Sequence, residues 1–288
     1  MGQNLKGLFC GLTAAFLFAC VGGISLFLSE EIPVSQILFI QNVVSLLVLL
    51  PFFNSWKPTS NHGLYLFRSA ASALSAFAFT ASLRDLDLVD ATLLNMTSPF
   101  FLPLIGFIWL KEKIHWAIWP ILGLGFYGAS LIYPPSKGMF QFGGMFALAS
   151  GLFTALSLSS MRKLHQRNES SMQIILVMTC FGILVTGVTA VFSWQPLTLE
   201  EWLLAASGGV LFGINQLFLT KSFQLLPIGF LAPIAYSVLP FSALIDSVVY
   251  REPVELTTWL GALFICFSGF LASRIFPERS PLQDGRGS

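Results

Sequence analysis

Side-chain amides stand at Asn42, Asn95 and the adjacent pair Asn215 and Gln216, each inside a stretch otherwise oily enough for a bilayer. An amide both donates and accepts hydrogen bonds, so a set of them suits a polar organic solute that must be held and then released. Ser98, Tyr236 and Ser237 add hydroxyls at comparable depth. Three charges, Arg68, Lys221 and Asp246, lie about one turn inside the ends of similar stretches. Long cationic side chains can snorkel to water, the bland reading of Arg68 and Lys221, with solute contact as the sharper one. Aspartate is too short for that, so Asp246 is a candidate to pair with a cation, to hold the positive end of a solute, or to take up a coupling proton.

This chemistry is binding, not bond-making. No carboxylates are paired for acid–base work, and His62, His115 and His165 are scattered. Cys10, Cys20, Cys180 and Cys266 show no zinc spacing. No catalytic residue, metal or cofactor is expected. The stretch from Gly123 to Gly128 satisfies a GxGxxG pattern, but no strand precedes it, and close helix packing explains it better than a dinucleotide.

The elements that position these groups follow from composition. The chain is 55% hydrophobic and only 10% charged, against about 25% charged residues in a soluble domain. Its charges divide it into neutral runs at 7–29, 32–56, 69–83, 91–110, 114–136, 138–161, 170–199, 202–220, 222–245 and 256–273. A crossing takes roughly 20 apolar residues, so these predict an all-α polytopic membrane protein of ten transmembrane helices. With the N-terminus cytoplasmic, the inner segments hold 12 of the 15 Lys and Arg residues and the outer ones only Arg84, Lys137 and Arg251. That bias predicts cytoplasmic N- and C-termini. A net charge of +1 with no basic patch gives no sign of nucleic-acid binding.

The spans repeat. A shift of 140 lays Lys111 and Glu112 on Arg251 and Glu252, and Trp119 on Trp259; a shift of 137 lays Gln36 on Gln173. The halves are therefore 1–136 and 137–276, followed by a polar tail, 277–288, expected to be disordered. Five spans per half is an odd number, so the second half enters the membrane from the opposite side. Such an inverted repeat can open a central site to each side in turn.

The residues Leu86 to Thr92, Thr97-Ser98-Pro99, Leu110-Lys111-Glu112, Trp119 and Gly123 to Gly128, with weaker echoes at Leu226 to Glu252, Trp259 to Gly261 and Gly269, resemble the EamA domain of the drug/metabolite transporter superfamily. The resemblance covers nearly the whole chain as two EamA units. It implies a cavity lined by the first four spans of each half, with the fifth spans at the periphery, and it implies a bacterial inner membrane as the setting. The first half looks most similar to members that take up S-adenosylmethionine, which makes that cation a candidate solute.

The reading that results is a secondary transporter moving a small organic metabolite by alternating access, with a proton or a counter-transported metabolite as coupling partner, as a monomer or homodimer. Pro99 and Pro103 in the fourth span and Pro233 and Pro240 in the ninth interrupt the helical hydrogen-bond ladder and are candidate hinges. Glu112 and Glu252 read as local anchors beside their basic neighbours. Among the 29 phenylalanines, Phe100, Phe101, Phe212, Phe218 and Phe241 could give the cavity an aromatic wall suited to an amphipathic, aromatic or cationic solute. Alternatives are a drug or amino-acid exporter of the same fold, a lipid-modifying membrane enzyme, and a scaffold without transport.

Overall fold

The computed structural model describes residues 3–29, 31–53, 58–82, 85, 88–112, 115–132, 142–250 and 256–275. Every regular element among them is helical: α1 (Gln3–Ser29), α2 (Val34–Leu49, continued by a short 3₁₀ turn), α3 (His62–Ser82), α4 (Leu88–Asn95), α5 (Ser98–Trp109), α6 (Ile118–Ile132), α7 (Phe142–Gln166), α8 (Ser171–Val191), α9 (Leu199–Leu225), α10 (Ile228–Ala235), α11 (Val238–Tyr250) and α12 (Leu256–Ile275). Six apolar segments are long enough to cross a membrane and three more are shorter. Taken with α3, and with α4/α5 and α10/α11 each as one broken span, the described helices supply the ten expected crossings.

The fourth and ninth spans are not single bent rods. Each splits into two helices, at Met96-Thr97 and at Tyr236-Ser237, positions 140 residues apart. Proline explains both places. It has no N–H, and its ring crowds the carbonyl four residues before it. Pro99 acts on Asn95 and Pro240 on Tyr236, so the ladder fails just there and tight turns take over, with Thr97 N–H bonded to Leu94 and Ser237 N–H to Ile234. Pro103 and Pro233 lie within α5 and α10 without ending them.

Helix pairing follows the repeat. α1 packs along α9 as α3 packs along α7, and α2 meets α9 as α8 meets α3. Two pairs map onto themselves, α2 with α8 and α6 with α12. In the second, a Cβ on Gly128 would lie 2.6 Å from the Gly261 carbonyl oxygen, and one on Gly261 2.5 Å from that of Gly128. Two backbones this close leave room only for glycine.

The two ends of the bundle differ. At the end reached by the C-termini of α5, α7 and α9, called here the Glu112 end, one apolar cluster joins α3, α7, α8, α9 and α10 through Tyr65, Met161, Ile174, Phe223 and Leu231, and a smaller one joins α2 and α8 through Leu49, Ile175 and Leu176. At the opposite end, the Ile32 end, two clusters lie on different helices. Leu28, Ile37 and Ala205 join α1, α2 and α9, whereas Ala91, Leu94 and Ala147 join α4 and α7. The packing of α5 on α10 and of α7 on α9 seals the first end. Among the described residues their repeat counterparts, α4 on α11 and α1 on α3, are not principal contacts.

Gly261→Ala is expected to lower the apparent melting temperature of the detergent-solubilised protein, by an overpacking cost of about 1–3 kcal/mol. Gly269→Ala, where a Cβ meets nothing within 4 Å, should leave it unchanged or raise it. Equal melting of the two variants would show that the α6–α12 seam is not close-packed.

Candidate functional site

Polar groups collect where the fourth span breaks. Asn95 ends α4 and donates from Nδ2 to Ser150 Oγ on α7 at 2.7 Å, and that hydroxyl donates to the Ala147 carbonyl. Ser75 on α3 donates to the Ser150 carbonyl at 2.9 Å and lies 2.7 Å from Thr154 Oγ1. The break can approach α7 because residue 151 is glycine: a Cβ there would sit 3.0 Å from the Asn95 carbonyl oxygen and 3.1 Å from Thr97 Oγ1. Carbonyl, amide and hydroxyls thus form one hydrogen-bonding patch at mid-depth on the α3–α4–α7 side.

A second patch lies on the α1–α9 side. Asn215 is buried and donates from Nδ2 to the Ala14 carbonyl at 2.6 Å. Gln216 beside it is 6% exposed, and its Oε1 accepts no hydrogen bond from the protein. The repeat relates the two patches. Ser75 and Asn215 are 140 residues apart, and each donates to a backbone carbonyl of the partner span, Ser150 or Ala14. Asn215 is therefore a brace between α1 and α9 as well as a polar group.

The other sequence candidates lie elsewhere. Asn42 faces α8: its Nδ2 bonds the Leu38 carbonyl at 2.8 Å, and a Cβ on Gly182 would lie 2.8 Å from its Oδ1. Ser98 is buried as the first residue of α5. Tyr236 is fully buried in an apolar cluster with α6 and α12, its ring against Gly125 and its hydroxyl without a protein partner. It does not join the amides. Lys221 is exposed and bonds Gln224 Oε1 at 2.8 Å. The side chain of Asp246 lies outside the described residues.

Arg68 corrects the snorkelling expectation. It is 2% exposed, donates from Nη1 to the Ile174 carbonyl at 2.7 Å, and places Nη2 3.3 Å from Met161 Sδ, while its Nε has no partner. The guanidinium ties α3 to α7 and α8 in the floor of the sealed end.

Glu112 also differs from the local anchor expected. Lys111 turns left-handed, with φ of 57°, and Glu112 then reaches back to the Gly106 carbonyl by its N–H and forward to α7 by its side chain. Its Oε1 is 2.9 Å from Arg162 Nε, and its Oε2 accepts from Ile228 N–H at the start of α10. Arg162 Nη1 donates to the Phe223 carbonyl near the end of α9 at 2.7 Å. Arginine thus meets the carbonyl end of one helix and glutamate the N–H end of the next, which suits both macrodipoles. Arg162 belonged to the basic residues behind the orientation argument and carried no other signal. Ser75, Ser150 and Thr154 are equally unmarked in the sequence.

A second network joins the loops at this end. Asn168, with φ of 57°, ends α7, and the Glu169 N–H then bonds the Leu164 carbonyl. The Glu169 carboxylate accepts from Thr59, from Asn61 at 2.6 Å and from the Tyr65 hydroxyl at 3.0 Å, while Arg167 bonds Asn61. Partial burial pushes this carboxyl up, but those three donors and nearby His62 outweigh it and hold it below the ordinary range.

The comparisons bear on this geometry. The model of the EamA-like transporter family matches residues 5–133 and 141–274, one copy on each repeat. The chain belongs to the EamA-like transporter family. Its relatives include a riboflavin transporter of Vibrio cholerae, 25% identical over 92% of this chain and 91% of that one, and a pseudopaline exporter of Pseudomonas aeruginosa, 26% identical over 93% and 96%. Human solute carrier family 35 member G1 is 24% identical over 91% of this chain and 77% of that one. A solved crystal structure with 13% identity superposes with a TM-score of 0.81, covering 93% of this chain and 98% of the other, a likeness of fold. This EamA protein is an integral membrane transporter for a small molecule, not an enzyme. None of these relatives is named for S-adenosylmethionine.

The sign of the Glu169 shift predicts a pH effect. A carboxyl held below its unfolded value contributes stability above that value and loses it as pH falls through the folded one. Hydrogen exchange in the 59–65 segment of the parent should therefore speed up as pH is lowered below the ordinary carboxyl range, after correction for intrinsic rates. Glu169→Gln should show no such step. A step of equal size in that variant would assign it to another group.

Proposed function

We propose that this EamA protein carries a neutral or zwitterionic polar solute with aromatic surface by alternating access. The two repeats, 1–136 and 137–276, would exchange conformations about the α4/α5 and α10/α11 breaks, with Pro99, Pro103, Pro233 and Pro240 as hinge residues. The observation that carries the reading is the pair of mid-depth patches, Asn95 with Ser75, Ser150 and Thr154, and Asn215 with Gln216, related by the repeat. Their described groups are amides and hydroxyls, and Arg68, Arg162 and Lys221 belong to the Glu112 end. Uncharged donors and acceptors match the edges of a heteroaromatic ring or of a polyol chain. Riboflavin is the first solute to test, in line with the name of the Vibrio cholerae relative. S-adenosylmethionine would draw on Asp246 for its positive charge and is the second.

The positive-inside bias supports a cytoplasmic Glu112 end in a bacterial inner membrane, with both termini on that side. The sealed Glu112 end then corresponds to a carrier open outward. Asn42, Ser98 and Tyr236 stand behind the patches as supports of α2, α5 and α10/α11, not as solute contacts.

Uptake into proteoliposomes of labelled riboflavin, S-adenosylmethionine, amino acids and a cationic dye tests the reading, with vesicles of each orientation giving direction. Asn95→Ala and Gln216→Ala should weaken apparent affinity by about 2- to 10-fold each, the range for one hydrogen bond, with insertion unchanged. No flux above protein-free vesicles for any of these solutes would overturn the neutral-solute reading. Unchanged kinetics in both variants would remove the patches from the site. Asp246→Asn separates coupling from binding, since retained uptake down the solute gradient with loss of proton-driven accumulation marks the coupling acid.

A further inference from the structure

Among the described residues, the ion pair at the Glu112 end has no equal at the Ile32 end. Arg162 and Glu112 are 3% and 14% exposed by side chain and join four pieces of chain: α7, the turn after α5, the end of α9 and the start of α10. Gln166 adds a longer contact to Glu112 Oε1 at 3.4 Å. The contact lies beside the apolar cluster that closes this end and bridges the packing of α5 on α10. When this end opens, α5 and α10 must part, and the pair must be broken or dragged apart.

The repeat specifies what its mirror image would be. By the shifts of 140 and 137, Glu112 maps to Glu252, Ile228 to Leu88, Phe223 to Leu83 and Arg162 to Ser25. The acid is retained in sequence, although Glu252 lies outside the described residues. The arginine is not. Ser25 instead accepts a hydrogen bond from Gln41 Nε2 at 3.0 Å, within the α1–α2 pair on one side of the bundle. A serine hydroxyl cannot supply a charge to Glu252, nor reach as a guanidinium does for the carbonyls ending a neighbouring helix.

We infer that Arg162–Glu112 is a latch that holds the Glu112 end shut and sets the resting state of the carrier, one without a match among the described residues of the Ile32 end. Breaking a buried pair by removing one partner leaves the other charge uncompensated in the closed state. In the open state water reaches both groups. Loss of either partner therefore shifts the population toward opening at the Glu112 end. The inference rests on the alternating-access reading, but it concerns which side is open and not which solute is carried.

The test uses the full chain in vesicles, with the four native cysteines replaced by serine and no solute present. Leu231→Cys, 5% exposed in the sealing cluster, reports opening by reaction with an impermeant maleimide from the Glu112 side. Ile265→Cys, 1% exposed and packed with α6, reports general loosening. With the latch intact both should stay protected. In Arg162→Gln and in the near-isosteric Glu112→Gln, labelling at Leu231→Cys should rise at least ten-fold, no further in the double variant, with Ile265→Cys still protected. Continued protection at Leu231→Cys in both variants overturns the latch. Labelling at both reporters overturns it too, since it makes the pair a general fold contact. Because labelling needs no solute, failure of the uptake panel would leave this result standing, and the reverse also holds.

Discussion

A carbonyl released from its helix inside a bilayer has no water to turn to. Everything at the centre of this molecule follows from that constraint. Pro99 and Pro240 undo the ladder of the fourth and ninth spans at equivalent places, and irregular backbone at that depth survives only where protein or a wet cavity receives it. α7 supplies the reception at the first break. Gly151 brings its backbone against the Asn95 carbonyl, and Ser150 takes the Asn95 amide. The polar patch proposed above as a solute site is thus the same set of groups that makes the break tolerable.

The repeat gives the break twice and relates the two in orientation. Because the halves enter the membrane from opposite sides, the helix pairs come as copies related by a pseudo-two-fold axis, and departures from that symmetry carry information. α5 packs on α10, whereas α4 on α11 is not a principal contact among the described residues.

Much of this was legible in the residues. The ten crossings follow from runs between charges, the halves from constant shifts, and the family from motifs around Leu110-Lys111-Glu112. The break positions were only half legible: prolines marked the spans, but one cannot tell from Pro103 or Pro233 alone that they leave α5 and α10 intact while Pro99 and Pro240 do not. Side-chain direction was the main gap. Tyr236 and Asn42 stand at mid-depth like Asn95, yet one faces α6 and the other α8, since depth along a span says nothing of azimuth. Arg68 and Arg162 were hidden for a related reason. Their partners are backbone carbonyls and an acid 50 residues distant, which no local pattern announces.

The glycine contact between α6 and α12 lies where the repeat maps an interface onto itself. Such a seam looks the same whichever half adopts which shape, so the exchange proposed above would not require it to be unmade. Under the proposed alternating access, α6 and α12 would serve as a fixed spine while α4/α5 and α10/α11 swing beside them. A covalent tether across 128–261 would be compatible with turnover, whereas one between α5 and α10 would arrest the carrier on one side of the membrane.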